Sequence, residues 1–285
     1  MSNATLYVVA TPIGNLEDMT PRAVRVLSSV DIIAAEDTRH SARLMRHFGI
    51  PTKMMALHEH NERDQVPKLL DWLRGGKSIA LISDAGTPLI SDPGYPLVRA
   101  AHEAGIPVVA VPGASALIAA LSISGLPSDR FTFEGFLPAR SVSRRGALER
   151  LRAESRTLIF YEAPHRIMEC LQDMSEVFGG EREATVAREL TKQFETVRAG
   201  KLAELLAWMT RHAEQQRGEF VVLIHGVARA EELTEESAEA ERVLTILLQE
   251  LPVSQAAELT ARITGAPKNL VYKRALTLRA DKPGG

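Results

Sequence analysis

Short apolar runs alternate with amphipathic stretches almost from the first residue, and this alternation constrains the fold more than any other feature. Strand candidates at 6–10, 31–35, 78–83 and 108–111 are separated by helical patterns near 21–29, 39–48, 62–74 and 93–104. A helix between successive strands returns the chain to the same edge of a sheet, so this order predicts an α/β layer with a mostly parallel sheet. Thr20-Pro21 supplies a cap followed by proline at the first helical position. After Gly125-Leu126-Pro127 the pattern restarts, with strand candidates at 130–134, 157–161, 183–188, 196–199 and 220–225 and helices near 143–154, 164–178 and 202–212. The expected layout is two α/β domains, 1–126 and 127–228. A segment from 229 to 285 follows, in which an acidic linker leads to three short helices at 240–250, 254–264 and 267–279.

Composition removes several classes. At 285 residues, with 45% apolar and 25% charged side chains, the chain can bury ordinary cores and is neither disordered nor a disulfide scaffold. Its one cysteine, Cys170, reads as a small core residue and fits a reducing compartment. The most apolar stretch, 108–121, is broken by Pro112-Gly113, so no membrane span is expected and a cytoplasmic location is. Net charge is −2, without the global basic field of many nucleic-acid binders. Two basic islands stand out locally: five arginines against Glu149 between 138 and 152, and six basic residues against Asp281 between 261 and 285. An acidic run at 230–241 separates them.

Common cofactor signatures are missing. No Gly-x-Gly occurs, which removes the Rossmann fingerprint, and neither a full P-loop nor a Gly-x-Ser-x-Gly elbow is present. His58-Glu59-His60 lacks further ligands at helpful spacing and reads as a loop, so no metal is expected. Instead, Gly/Pro-rich loops follow the strand candidates: Thr11-Pro12-Ile13-Gly14-Asn15-Leu16, Ser83-Asp84-Ala85-Gly86-Thr87-Pro88, Ser91-Asp92-Pro93-Gly94 and Pro112-Gly113-Ala114-Ser115-Ala116. Ligands of open α/β sheets sit at the carboxyl ends of strands, where glycine lets backbone come close. Polar clusters end other strands: Glu36-Asp37-Thr38-Arg39, with one carboxylate inward and one at the rim, Glu162-Ala163-Pro164-His165-Arg166, and Arg188-Glu189-Leu190-Thr191-Lys192. Together they point to a cleft between the two domains.

The stretches 6–16, 35–39, 83–88 and 187–192 resemble the ribosomal RNA small subunit methyltransferase I family, the 16S rRNA cytidine 2′-O-methyltransferases of the tetrapyrrole methylase superfamily. The resemblance runs from Leu6 to about Leu278. It implies S-adenosylmethionine bound between two α/β domains, with Pro12 and Gly14 on a first loop, Asp84, Ala85, Gly86 and Thr87 on a second, and Ser115 and Ala116 on a third. Glu162, Ala187, Glu219 and Phe220 would close the pocket from the second domain. It further implies 2′-O-methylation of one cytidine of 16S rRNA in the assembled 30S subunit near the decoding centre, by a homodimer. Candidates for the base that takes the ribose proton are Asp37, Glu189 and Lys192, unranked. Arg39, Arg140, Arg144, Arg145 and Arg188 are the candidate RNA contacts of the two domains. The tail resembles the family's small helix-turn-helix-like domain, and Lys268, Lys273 and Arg274 would either meet phosphates or pack a dimer. Two other readings compete: a small-molecule methylase acting on a tetrapyrrole, and a non-catalytic RNA-binding module with no cofactor affinity.

Overall fold

The computed structural model describes residues 4–227 and 235–280, which belong to two compact units divided after Val227. The first unit opens with β1 (Leu6–Val9), α1 (Pro21–Ser29), β2 (Ile32–Ala35), α2 (Thr38–His47), β3 (Met54–Ala56), α3 (Glu62–Arg74), β4 (Ile79–Ile82), α4 (Tyr95–Glu103), β5 (Val108–Val111) and α5 (Ala116–Ile123). These strands form a parallel sheet in the order β3-β2-β4-β1-β5. Helices cover such a sheet on both faces, which is why β4 is an unbroken apolar run with all four residues buried. Thr20 caps α1 by accepting from the Ala23 amide at 3.1 Å. β3 has no counterpart in the sequence pattern. It is three residues long at the sheet edge, too short to show a period, and it owes its conformation to the ladder with β2.

The second half of this unit holds β6 (Phe131–Phe136), α6 (Ser141–Arg150), β7 (Thr157–Glu162), α7 (Ile167–Phe178), β8 (Glu183–Arg188), β9 (Thr196–Lys201), α8 (Leu202–Arg211) and β10 (Phe220–Ile224). The order is β6-β7-β10-β8-β9, and here the expectation of mostly parallel strands fails, because only β6 and β7 run parallel. Too few residues join β8 to β9 for a crossover helix, so the chain turns back on itself. α7 presents Ile167, Cys170, Leu171, Met174, Val177 and Phe178 to the core at helical spacing, and Cys170 is fully buried there.

The second unit is helical: α9 (Glu235–Glu250), α10 (Val253–Thr264) and α11 (Lys268–Ala280) pack around Leu244, Val253, Ala256, Ala257, Val271 and Ala275. α10 ends at Gly265, whose φ of +75° is the left-handed cap geometry that glycine adopts without strain. The acidic run expected as a linker is helical from Glu235 onward, since glutamate and alanine are good helix formers. Its beginning, 230–234, lies outside the described residues.

Candidate active site

At the carboxyl edge of the first sheet the loops are laced by their own backbone. Thr11 and Gly86 exchange amide hydrogen bonds at 2.8 and 3.0 Å, and Thr87 Oγ1 donates to the Ala114 carbonyl at 3.0 Å. A second brace joins the ends of β2 and β4. The Asp84 amide donates to Glu36 Oε2 at 3.3 Å, and the Asp37 amide donates to Asp84 Oδ1 at 3.1 Å. Glu36 faces inward while Asp37 sits at the rim and caps α2, accepting from the Arg39 and His40 amides.

Facing these loops, the second sheet contributes Phe136, Tyr161, Glu162 and Phe220 and its loops Leu190 and Glu219, and a cavity of about 460 Å³ lies between. The first-half wall includes Ile13, Glu36, Asp84, Ala85, Gly86, Thr87, Asp92, Ser115 and Ala116. Asp84, Ala85, Gly86, Thr87, Ser115, Ala116, Glu162, Glu219 and Phe220, all expected at the cofactor, are therefore brought together. Pro12, Gly14 and Ala187 are not among the lining residues: Pro12 and Ala187 are buried, and Gly14 is exposed where it packs on the opposing turn.

Backbone strain gathers at the same place. Among the described residues, the four non-glycine positions with left-handed backbone are Leu89, Ser91, Glu189 and Thr191. All four lie in the two loops, 83–94 and 189–195, that contribute to the cavity wall. Such conformations cost about 1–3 kcal/mol each and persist at sites whose geometry is over-determined.

Charge in the cavity is one-sided. Glu36, Asp84, Asp92, Glu162 and Glu219 line it, with no lysine or arginine among the lining residues. Glu162 is matched behind the wall by Arg166, Nε to Oε1 at 3.2 Å, and Glu219 by Lys192 Nζ at 2.9 Å. The remaining three carboxylates face one another. Burial, with the charges of Asp84 and Asp37, raises the Glu36 carboxyl above its ordinary value. Burial and the charges of Glu36 and Asp84 push Asp92 up to about 6, against the pull of the Ser83 hydroxyl.

The three expected bases lie elsewhere on the proton-affinity scale. The amides capped by Asp37 hold its carboxyl below the usual range. Lys192 Nζ donates to Glu189 Oε1 and Glu219 Oε2, both at 2.9 Å. Burial opposes both charges of the Glu189–Lys192 pair, yet their mutual bond prevails, lowering Glu189 and raising Lys192. Asp92, pushed up to about 6, was not singled out from sequence as a base. Its local signal, Asp-Pro-Gly after a strand, is that of an ordinary turn.

The arginines divide. Arg39 is 92% exposed beside Asp37, Arg140 is exposed at the start of α6, and Arg145 pairs with Glu176 at 2.5 Å on the surface. Two arginines expected to meet RNA are instead buried and spent on the protein. Arg144 binds Asp173 Oδ2 at 2.6 Å, and Arg188 donates to the Arg217 and Phe194 carbonyls at 2.5 and 2.9 Å. In the helical unit Lys268 pairs with Glu258 at 3.1 Å, Arg274 pairs with Glu241, and Lys273 is exposed. These exposed pairs are worth little, so exchanging a carboxylate for a phosphate there costs little. Among the described residues no group of three or more His, Cys, Asp or Glu is arranged to hold a metal ion. None of the described helices is long and apolar enough to cross a membrane.

Gly14 shows how closely the two halves meet. A Cβ there would lie 2.5 Å from Lys192 Cγ, 2.9 Å from Thr191 Oγ1 and 3.1 Å from the Leu190 carbonyl. Gly14→Ala is therefore expected to cost about 1–3 kcal/mol by overpacking. Through the displaced Leu190 and Glu219 it should also slow turnover by roughly tenfold to a hundredfold. Thermal melts in a Lys192→Ala background check the cause: the penalty shrinks there if the Lys192 stem is the obstacle, and stays whole if it is not.

Comparison with known proteins agrees with this geometry. Residues 5–206 match the Tetrapyrrole (Corrin/Porphyrin) Methylases family, and residues 234–279 match the RsmI C-terminal HTH domain. The chain is 60% identical to the ribosomal RNA small subunit methyltransferase I of Pseudomonas aeruginosa over 97% of its own length and 98% of that protein. It is 53% identical to the protein of that name from Escherichia coli O157:H7, over 96% of each chain. Among solved structures, a diphthine synthase superposes with a TM-score of 0.61 at 14% identity, covering 78% of this chain and 89% of that one. A uroporphyrin-III-C-methyltransferase from Thermus thermophilus gives 0.52 at 21% identity, covering 78% and 94%. At such identities the structures speak for the fold alone.

Proposed function

The chain belongs to the ribosomal RNA small subunit methyltransferase I family of the tetrapyrrole methylases, and from that premise we propose a specific reaction. It transfers a methyl group from S-adenosylmethionine to the ribose 2′-oxygen of one cytidine in 16S rRNA. The substrate is the assembled small subunit near the decoding centre, which places the protein in the cytoplasm. The observation that carries the reading is the cavity itself. Its carboxylates have no lining cation to face, its loops are opened by glycine, and Ile13, Ala116, Leu190, Phe220 and Val221 give it apolar walls. That donor set fits a cationic nucleoside: carboxylates for positive charge, apolar walls for an adenosine.

When bound, S-adenosylmethionine supplies an electrophilic methyl group on a positively charged sulfur. The protein's own residues do the rest. Glu36 and Asp84, each fixed by a backbone amide, present negative charge to the bound cation. Asp92 takes the proton of the attacking hydroxyl, a role suited to a carboxyl poised near 6. The Lys192–Glu189–Glu219 cluster holds the second-half wall against the Gly14 loop. Exposed Arg39, Arg140 and Arg145 are the phosphate contacts this arrangement leaves available. A symmetric homodimer completes the proposal, checked by light scattering.

The test is methyl transfer from radiolabelled S-adenosylmethionine to 30S subunits lacking the modification, beside free 16S rRNA. Label in 30S particles alone, mapped to a single 2′-O-methylcytidine, is the expected result. Label in neither, with the cofactor still raising the melting temperature, would move the assignment to a small-molecule methylase. No cofactor affinity at all would leave only the binding-module reading.

A further inference from the structure

Phe136 is a large apolar side chain left 55% exposed where it lines the cavity. Its position is built. Along β6 the register against β7 slips between Phe133 and Gly135, and Gly135 takes a φ of +64°. In a regular strand residues three apart point to opposite faces. The extra residue cancels that alternation and brings Phe133 and Phe136 to the same neighbour, Tyr161. The ring centroids of Phe133 and Phe136 lie 4.8 and 5.7 Å from that of Tyr161, both in edge-to-face geometry. Tyr161 is fixed in turn by the Leu117 amide, which donates to its hydroxyl at 3.1 Å.

Beyond Phe136 the exit of the strand is pinned as well. Arg166 Nη2 donates to the Leu137 carbonyl at 2.5 Å and the Pro138 carbonyl at 3.3 Å, and Arg166 is itself held by the buried Glu162. A bulge, an aromatic brace and an arginine clamp all converge to hold one ring half in solvent. Hydrophobic burial does not explain that expenditure, because the ring is not buried.

We propose that Phe136 is the platform on which the base of the target nucleotide stacks when its ribose enters the cavity. This rests on the rRNA reading above. A 2′-hydroxyl can reach the cavity only from a nucleotide lifted out of its neighbours' stack, and the lifted base needs a surface to replace them. A pre-positioned aromatic ring at the cavity mouth provides it. Stacking tolerates any base, so Phe136 sets how well the nucleotide is held and leaves its identity to other contacts.

The experiment compares Phe136→Leu, Phe136→Tyr and wild type on 30S subunits lacking the modification, with S-adenosylmethionine affinity and melting temperature measured in parallel. Phe136→Leu is expected to lower kcat/KM for 30S by between about 5-fold and 150-fold, chiefly through KM. Phe136→Tyr should recover most of that loss, and any rise of cofactor Kd in either variant should be small beside the loss on 30S. Wild-type kinetics in the leucine variant would overturn the platform while leaving the rRNA reading intact. A matching loss of cofactor affinity would overturn it too, by making the ring a wall of the cofactor pocket. Failure of the wild-type protein to label 30S subunits would remove both readings together.

Discussion

Arg144→Met is expected to destabilise the protein by about 3–5 kcal/mol, the usual cost of removing one partner from a buried ion pair. Arg144 is 1% exposed, and its guanidinium reaches Asp173 Oδ2 at 2.6 Å, the Ala139 carbonyl at 3.2 Å and Glu169 Oε2 at 3.4 Å. Asp173, 4% exposed, also accepts from Ser141 Oγ at 3.1 Å. Methionine fills the volume but leaves the Asp173 carboxylate in an apolar setting with a single hydroxyl donor. In a domain of this size the loss corresponds to a fall in melting temperature of roughly 10 °C. The second variant decides the cause. Arg144→Met/Asp173→Leu should regain most of the loss, because an apolar pair replaces a buried ion pair at little net cost. If the double variant melts as low as the single, the loss comes from packing of α6 and the stranded carboxylate is not its source. Cofactor affinity should be unchanged in both, since neither residue lines the cavity.

That arginine marks a limit of what sequence alone reveals. Five arginines between 138 and 152 look alike as letters, and reading the stretch as one basic island, with Arg140, Arg144 and Arg145 as RNA contacts, is reasonable on local charge. What separates Arg144 from Arg145 is Asp173, brought by α7 from 29 residues away. Asp92 is similar. Its neighbours in sequence are those of a plain turn, and its raised proton affinity comes first from burial in the folded chain and then from Glu36 and Asp84, which the sheet carries to its side. By contrast β5, β8, α1 and α3 have the boundaries their patterns predict, because each pattern is a local property of alternation, capping or turn chemistry. The loops at 83–88 and 112–116 were legible for the same reason, since glycine and proline impose their constraint on their own backbone. The antiparallel second sheet was not, because strand direction depends on which strand pairs with which. The bulge that aims Phe136 was hidden too: Glu134-Gly135 inside an apolar run signals a defect without saying which side chain it redirects.

Asp92→Asn is expected to lower kcat for methyl transfer to 30S subunits by about 10²–10⁴-fold at pH 8, the range for loss of a general base. The amide keeps the shape and the Ser83 contact but cannot accept the hydroxyl proton. Glu36 and Asp84 are poor substitutes, since each already holds a backbone amide. The pH dependence follows from Asp92 being pushed up to about 6 by burial and by Glu36 and Asp84. A base works in its deprotonated form, so wild-type kcat/KM for the cofactor should hold above pH 6 and fall as the pH drops through it. The limb in kcat should lie lower, because the bound sulfonium and ammonium favour the carboxylate. Stability moves the other way. The folded chain binds this proton more tightly than the unfolded one, so Asp92 weakens the fold progressively from about pH 4 to pH 6 and fully above that. After screening at this partly exposed site the penalty is about 1 kcal/mol. The asparagine variant should therefore melt a few degrees higher than wild type at pH 8 and level with it at pH 4. A variant both slower and more stable at pH 8 is the signature of a group strained for use. Retained activity, or the same acid limb in the variant, would assign the proton transfer to another carboxylate of the cavity.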